Sequence, residues 1–168
     1  MALSMHAASV PLFTTLLGAL SGVLDKGAAF CAARKIDPLV LTGARLAPDM
    51  FPLSRQVQIA SDMAKGCVAR LAGVEVPAWE DTEKTFPELK ERIARTIAYL
   101  EGFKPEQIDG SEAREITLKM GGTPVTFAGQ RYLIGFVIPN FTFHCTTAYA
   151  ILRHNGVEVG KRDFLGNF

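Results

Sequence analysis

Apolar positions recurring every three or four residues mark four long helices along the chain. The first predicted helix runs from about Ser4 or Ser9 to Arg34. Val10, Phe13, Leu16, Leu17, Leu20, Val23, Leu24, Gly27, Phe30 and Cys31 form its stripe. Asp37-Pro38 has the pattern of an N-cap followed by Pro at the first helical position, and opens only a short turn. Pro48 and Pro52 then bracket Asp49-Met50-Phe51. A second helix is predicted from near Pro52 to Leu71, apolar at Val57, Ala60, Met63, Ala64, Cys67, Val68 and Leu71, with Gly73 as its stop. Val74 to Lys84 is a connector rich in Pro, Asp and Glu that carries Trp79. Thr85-Phe86-Pro87-Glu88 reads as a capping box, and the third helix buries Leu89, Ile93, Ile97 and Leu100 before Gly102 closes it. From Glu115 to Phe127 the period changes to two. Ile116, Leu118 and Met120, then Val125 and Phe127, alternate with polar residues around Gly121-Gly122, which predicts a β-hairpin. The fourth helix covers Gln130 to His154 and is expected to bend where Pro139 removes a backbone donor. Val157, Val159, Phe164, Leu165 and Phe168 predict a tail lying against the helices. The pattern specifies an all-α, up-and-down four-helix bundle with a β-hairpin inserted before the last helix.

Composition narrows the partners. At 168 residues, 48% hydrophobic and 21% charged, residues 1–168 are expected to form a single domain with a real core. Eighteen basic residues against seventeen acidic ones leave a formal charge of +1. No nucleic acid and no acidic membrane face is expected as a partner on that balance. Cys31, Cys67 and Cys145 are widely spaced with no CxxC pair, which points to a reducing, cytoplasmic setting. The uncharged run Met1 to Leu24 lacks a basic flank and contains Pro11. The run Tyr132 to Leu152 contains Pro139, Asn140 and His144, which are costly in lipid. Both runs read as buried helices rather than membrane segments.

Candidate chemistry is sparse. His154 falls in a last helical turn, where a cation complements the dipole, and His6 lies near the chain start. His144 is different, since Phe141, Ala148, Ile151 and Leu152 place it on the buried stripe of the fourth helix. Asn140 is one turn before it on the same face. The second helix carries Arg55, Gln56, Gln58 and Asp62 among its apolar residues, with Gln58 and Asp62 again four apart. A polar pair on each of two helices can converge inside a bundle and bind a small molecule. The alternative is a core histidine satisfied by the side-chain oxygen of Gln58 or Asn140. Glu80, Asp81 and Glu83 read as solvated surface carboxylates. Cys145 points about 100° away from its neighbour His144, so the two make no nucleophile pair.

Leu46-Ala-Pro-Asp-Met-Phe-Pro52, Gln56-Val-Gln-Ile-Ala60 and Pro139-Asn-Phe-Thr-Phe-His-Cys-Thr-Thr-Ala-Tyr-Ala-Ile-Leu-Arg-His-Asn-Gly156 resemble an uncharacterised bacterial domain-of-unknown-function family. That family is similar to the DinB/YfiT-like four-helix bundles, putative metalloenzymes. The resemblance implies a divalent metal, held by one His from the second helix and an HxxxH on the last helix, followed by an Arg and a Gly. Counting back from Arg153 and Gly156 sets His144 at the second His of that motif and Asn140 at the first. Gln58 is the match to the second-helix ligand. Zinc and nickel favour imidazole and thiolate over amide oxygen, so the two amides weaken such a site unless Asp62 or Asp49 supplies a carboxylate. Three functions fit these residues: a small-molecule pocket around His144, Asn140, Gln58 and Asp62; a homodimeric interaction module without catalysis; and a zinc- or nickel-dependent transferase or hydrolase.

Overall fold

The computed structural model describes residues 3–166; Phe168, predicted to join the packed tail, and the start of the Met1 to Leu24 run lie outside them. The elements are α1 (Val10–Arg34), α2 (Pro38–Thr42), α3 (Leu53–Ala72), α4 (Phe86–Glu101), α5 (Pro105–Ile108), β1 (Glu115–Met120), β2 (Thr123–Ala128), α6 (Gly129–Tyr132), a π-helical turn (Leu133–Val137), α7 (Ile138–His154) and α8 (Lys161–Leu165). The protein is mostly helical with one small hairpin. Its long helices pack in a ring: α1 on α4, α4 on α3, α3 on α7 and α7 on α1.

The predicted stripes are the surfaces that meet. Phe13, Leu17, Leu20, Val23, Leu24, Gly27 and Cys31 of α1 are buried, and Phe13 packs edge-on against Phe141 of α7 at 4.9 Å. By length and composition α1 could cross a membrane; here its apolar stripe is spent on neighbouring helices. It starts at Val10 rather than Ser4, because the Ser9 hydroxyl donates back to the Met5 carbonyl (2.7 Å) and closes a separate turn. α3 is more enclosed than its neighbours. α7 covers one side, α4 another, and the connector after it a third, so Gln56, Gln58 and Lys65 are buried along with the apolar stripe.

α4 opens with the capping box read from the sequence. The Thr85 hydroxyl accepts from the Glu88 amide (3.4 Å), while the Glu88 carboxylate accepts from the amides of Thr85 (2.9 Å) and Lys84 (2.8 Å). Those amides hold the Glu88 carboxyl below its usual value. In the hairpin, β1 pairs antiparallel with β2, Ile116 opposite Phe127 and Leu118 opposite Val125. Gly121 and Gly122 both take positive φ, the backbone a tight two-residue turn requires. One hairpin face packs through Phe127 on Phe136 (5.5 Å) and Tyr132 (6.2 Å).

The last long helix is interrupted upstream of its proline. Pro139 has no N–H to offer the carbonyl one turn earlier, and the chain responds by widening into the π-helical turn Leu133–Val137. Beyond it, α7 runs unbroken to His154. Val157 and Val159 are buried, and α8 lies across α1, as expected for an apolar tail.

Thr85→Ala removes one half of the capping box and is expected to lower stability by about 1 kcal/mol. Urea denaturation of the pair checks it, with an unchanged slope showing that the fold itself persists.

Candidate functional site

α3 and α7 lie side by side, and one polar contact crosses between them. His144 Nδ1 is 2.6 Å from Gln56 Oε1. The Gln56 amide cannot be turned the other way, because its Nε2 donates to the Phe51 carbonyl at 3.0 Å, and a carbonyl can only accept. Oε1 therefore faces the imidazole, and Nδ1 carries the proton. In the neutral ring this leaves the lone pair on Nε2. No described residue bonds to Nε2, and it is not among the buried polar atoms lacking a partner, so it meets solvent. Burial pushes the His144 pKa down, and the nearby Arg55 guanidinium pushes it the same way. The geometry thus yields a neutral, oriented imidazole with a free basic nitrogen. Phe143, 54% exposed, lies edge-on to the imidazole at 5.3 Å, and Phe51, 55% exposed, carries Arg55 over its ring at 5.9 Å.

The residues picked from the sequence do not all meet there. His144 is half-buried at the border of the α7 stripe; Phe141, Cys145, Ala148 and Leu152 take the core positions. Asn140 is also half-buried and has no side-chain hydrogen bond among the described residues. Gln58 is buried but turned elsewhere. Its Nε2 donates to the Glu83 carboxylate (3.1 Å) and to the Glu83 carbonyl (3.3 Å), and its Oε1 accepts from Arg55 (3.3 Å). The expected partner of His144, Gln58 or Asn140, is thus replaced by Gln56. The reason is phase: Gln56 precedes Ala60, Ala64 and Cys67 at helical spacing, in line with the apolar stripe that faces α7, whereas Gln58 lies on the flank beneath the connector. Spacing alone contained that signal; the i,i+4 pairing of Gln58 with Asp62 concealed it.

Asp62 belongs to a different cluster. The Arg92 side chain, 1% exposed, gathers Asp62 (3.0 Å), Asp81 (2.9 Å) and Glu83 (3.0 Å). Asp62 also takes Lys65 at 2.8 Å, and Asp81 pairs with Arg55. The carboxylates of the connector, read from sequence as merely solvated, instead tie it to α3 and α4. Arg92 Nη1 also donates to the Glu80 carbonyl (3.0 Å). Lys65 and Arg95 stack on Trp79 at 4.3 and 4.1 Å, adding cation–π contacts to the same tie.

Among the described residues no group of three His, Cys, Asp or Glu side chains comes together to hold a metal ion. The donor set around His144 does not suit resident zinc or nickel: one imidazole nitrogen is free, the Gln56 oxygen is used on Nδ1, and Gln58 is engaged with Arg55 and Glu83. Cys67 and Cys145 add nothing, since burial raises both thiols, Cys145 to about 12.

Residues 5–165 match the family model described as Domain of unknown function (DUF1993). Among solved structures, the crystal structure of a DinB family member protein from Shewanella denitrificans is 44% identical. It superposes with a TM-score of 0.88 over 97% of this chain and 92% of that one. No curated protein matches the chain.

Two outcomes follow from this geometry. Arg92→Met strands three carboxylates and is expected to cost about 2–3 kcal/mol in urea denaturation, less than the ~3–5 kcal/mol of a fully buried pair because the carboxylates keep some water. Asp81→Asn should cost under about 1 kcal/mol. The second concerns pH. An unfolded histidine titrates near 6.5, and the native value of His144 lies below it, so the unfolded chain binds the proton more readily. Stability from the neutral imidazole is complete above pH ~6.5 and declines as pH falls toward the native value. Denaturation of wild type and His144→Leu between pH 7.5 and 5 should show that decline in the wild type alone.

Proposed function

The chain belongs to the DUF1993 family, and from that premise we propose that it is a small-molecule-binding protein whose ligand is received at His144. Residues 1–168 are read as one DinB-like domain, an up-and-down four-helix bundle, with the site at the α3–α7 seam. The observation that carries the reading is the chain of bonds from the Phe51 carbonyl through the Gln56 amide to His144 Nδ1. A histidine that only filled space would need no such orientation. Here two successive hydrogen bonds select one tautomer and leave Nε2 to accept a hydrogen bond or a proton from a ligand. Arg55 supplies a positive charge beside it, and the Phe51 and Phe143 rings give an apolar rim. A ligand with a polar, proton-bearing head and a compact apolar body suits these groups.

A thermal-shift screen of metabolites, with every hit repeated on His144→Leu, tests the reading. A ligand at a hundredfold excess over its Kd should raise the wild-type Tm by about 5–10 °C and leave the variant's Tm unmoved. Hits that stabilise both proteins equally place the ligand elsewhere and overturn it. Stoichiometric zinc or nickel in untagged protein, lost in His144→Ala, would replace it with a metal-dependent transferase or hydrolase.

A further inference from the structure

A second cleft lies on the flank of α3, under residues 76–79 of the connector and away from the seam with α7. It encloses about 410 Å³, within the range of pockets that hold small metabolites. Arg55, Lys65 and Arg70 line it against a single carboxylate, that of Asp62, with Met63 and Trp79 among its apolar walls. The carboxylates nearby are oversubscribed. Asp62 serves both Lys65 and Arg92, and Asp81 serves both Arg55 and Arg92. Among the described residues Arg70 has no carboxylate at all; its Nη1 donates to the Tyr132 hydroxyl at 3.1 Å. Lys65, whose side chain is 4% exposed, has three N–H donors, of which one is met by Asp62 while the ammonium sits over Trp79.

The position of Arg70 is prepared by the residue one turn before it. A Cβ at Gly66 would collide with Arg70 Nη1. With glycine there, the guanidinium folds back along α3 toward Lys65 and Asp62. A mid-helix glycine weakens a helix relative to alanine, and at this position what it admits is the guanidinium.

We propose that this cleft binds a small organic anion, a carboxylate or phosphate on a ring-sized apolar body. Arg70 and Lys65 take the anionic group, and Trp79 and Met63 receive the body. The anion supplies the negative charge that Asp62 and Asp81, each already shared by two cations, do not. The site is independent of His144.

Trp79 is the only tryptophan in the chain, so its indole N–H signal in a ¹H–¹⁵N spectrum reports on the cleft without assignment of the rest. At constant ionic strength the full chain is titrated with phenyl phosphate, benzoate, benzyl alcohol, inorganic phosphate and sodium chloride. Phenyl phosphate or benzoate is expected to shift the signal saturably, and the tighter of the two names the anionic group; benzyl alcohol and sodium chloride leave it in place. Gly66→Ala, which removes no charge and displaces only the end of a flexible side chain, should weaken binding at least tenfold without lowering Tm. Arg70→Gln should abolish it, and His144→Leu should leave it unchanged. A response that does not saturate, a response equal to that of sodium chloride, or wild-type affinity in Gly66→Ala and Arg70→Gln overturns the proposal. Inorganic phosphate binding as tightly as phenyl phosphate overturns the role given to Trp79 and Met63.

Discussion

A guanidinium enclosed by protein must find anions, and the way Arg92 finds them governs the polar half of this molecule. Its three carboxylates come from α3 and from a connector with no regular structure of its own. The connector is therefore located by charge rather than by backbone ladder. Glu83, held by Arg92, engages the Gln58 amide; Asp81, also held by Arg92, pairs with Arg55. Arg55 in turn is the charge that His144 feels. A buried ion cluster is weak evidence of net stability, since desolvation offsets much of the attraction. Its value here is positional: it sets where Arg55 and Trp79 stand, and so shapes both sides of α3.

α3 consequently separates two environments. On the side toward α7 the polar groups are few and fully oriented, with one amide and one imidazole joined in a fixed sense. On the side toward the connector the groups are charged, shared and numerous. The family resemblance drew attention to Gln58 as the relic of a ligand, but that side chain serves the charged side. The imidazole is served by Gln56, one residue from the middle of the motif Gln56-Val-Gln-Ile-Ala60. Two amides two residues apart on a helix point about 200° apart, and the protein uses both directions.

Helices and hairpin were legible because their signals are local. Apolar spacing in α1, the capping box at Thr85 and the glycine pair at residues 121–122 each act within a few residues. The oriented imidazole was half legible. His144 was identifiable as the histidine nearest the α7 stripe, and Gln56 was in phase with Ala60 and Ala64, yet which amide would cross the seam depends on how α3 is rotated against α7. The Arg92 cluster was not legible, since its partners lie from 9 to 30 residues away in a segment whose composition suggested only solvation. The bend was expected at Pro139 itself. A missing donor leaves its mark one turn earlier, at the carbonyl it would have served, and the widened turn is found there.

That widened turn has a consequence for how the family can diversify. A π-helical turn is, in effect, one residue added to an α-helix without a loop to absorb it. Excision of a single residue between Leu133 and Val137 would let the helix resume ordinary winding, and everything downstream would swing by about 100° relative to the hairpin end. His144 would then leave the seam while the core exchanged one set of side chains for another. Short indels in this stretch act as a rotary adjustment of the site, and lineages that re-aimed the imidazole had a one-codon route to it.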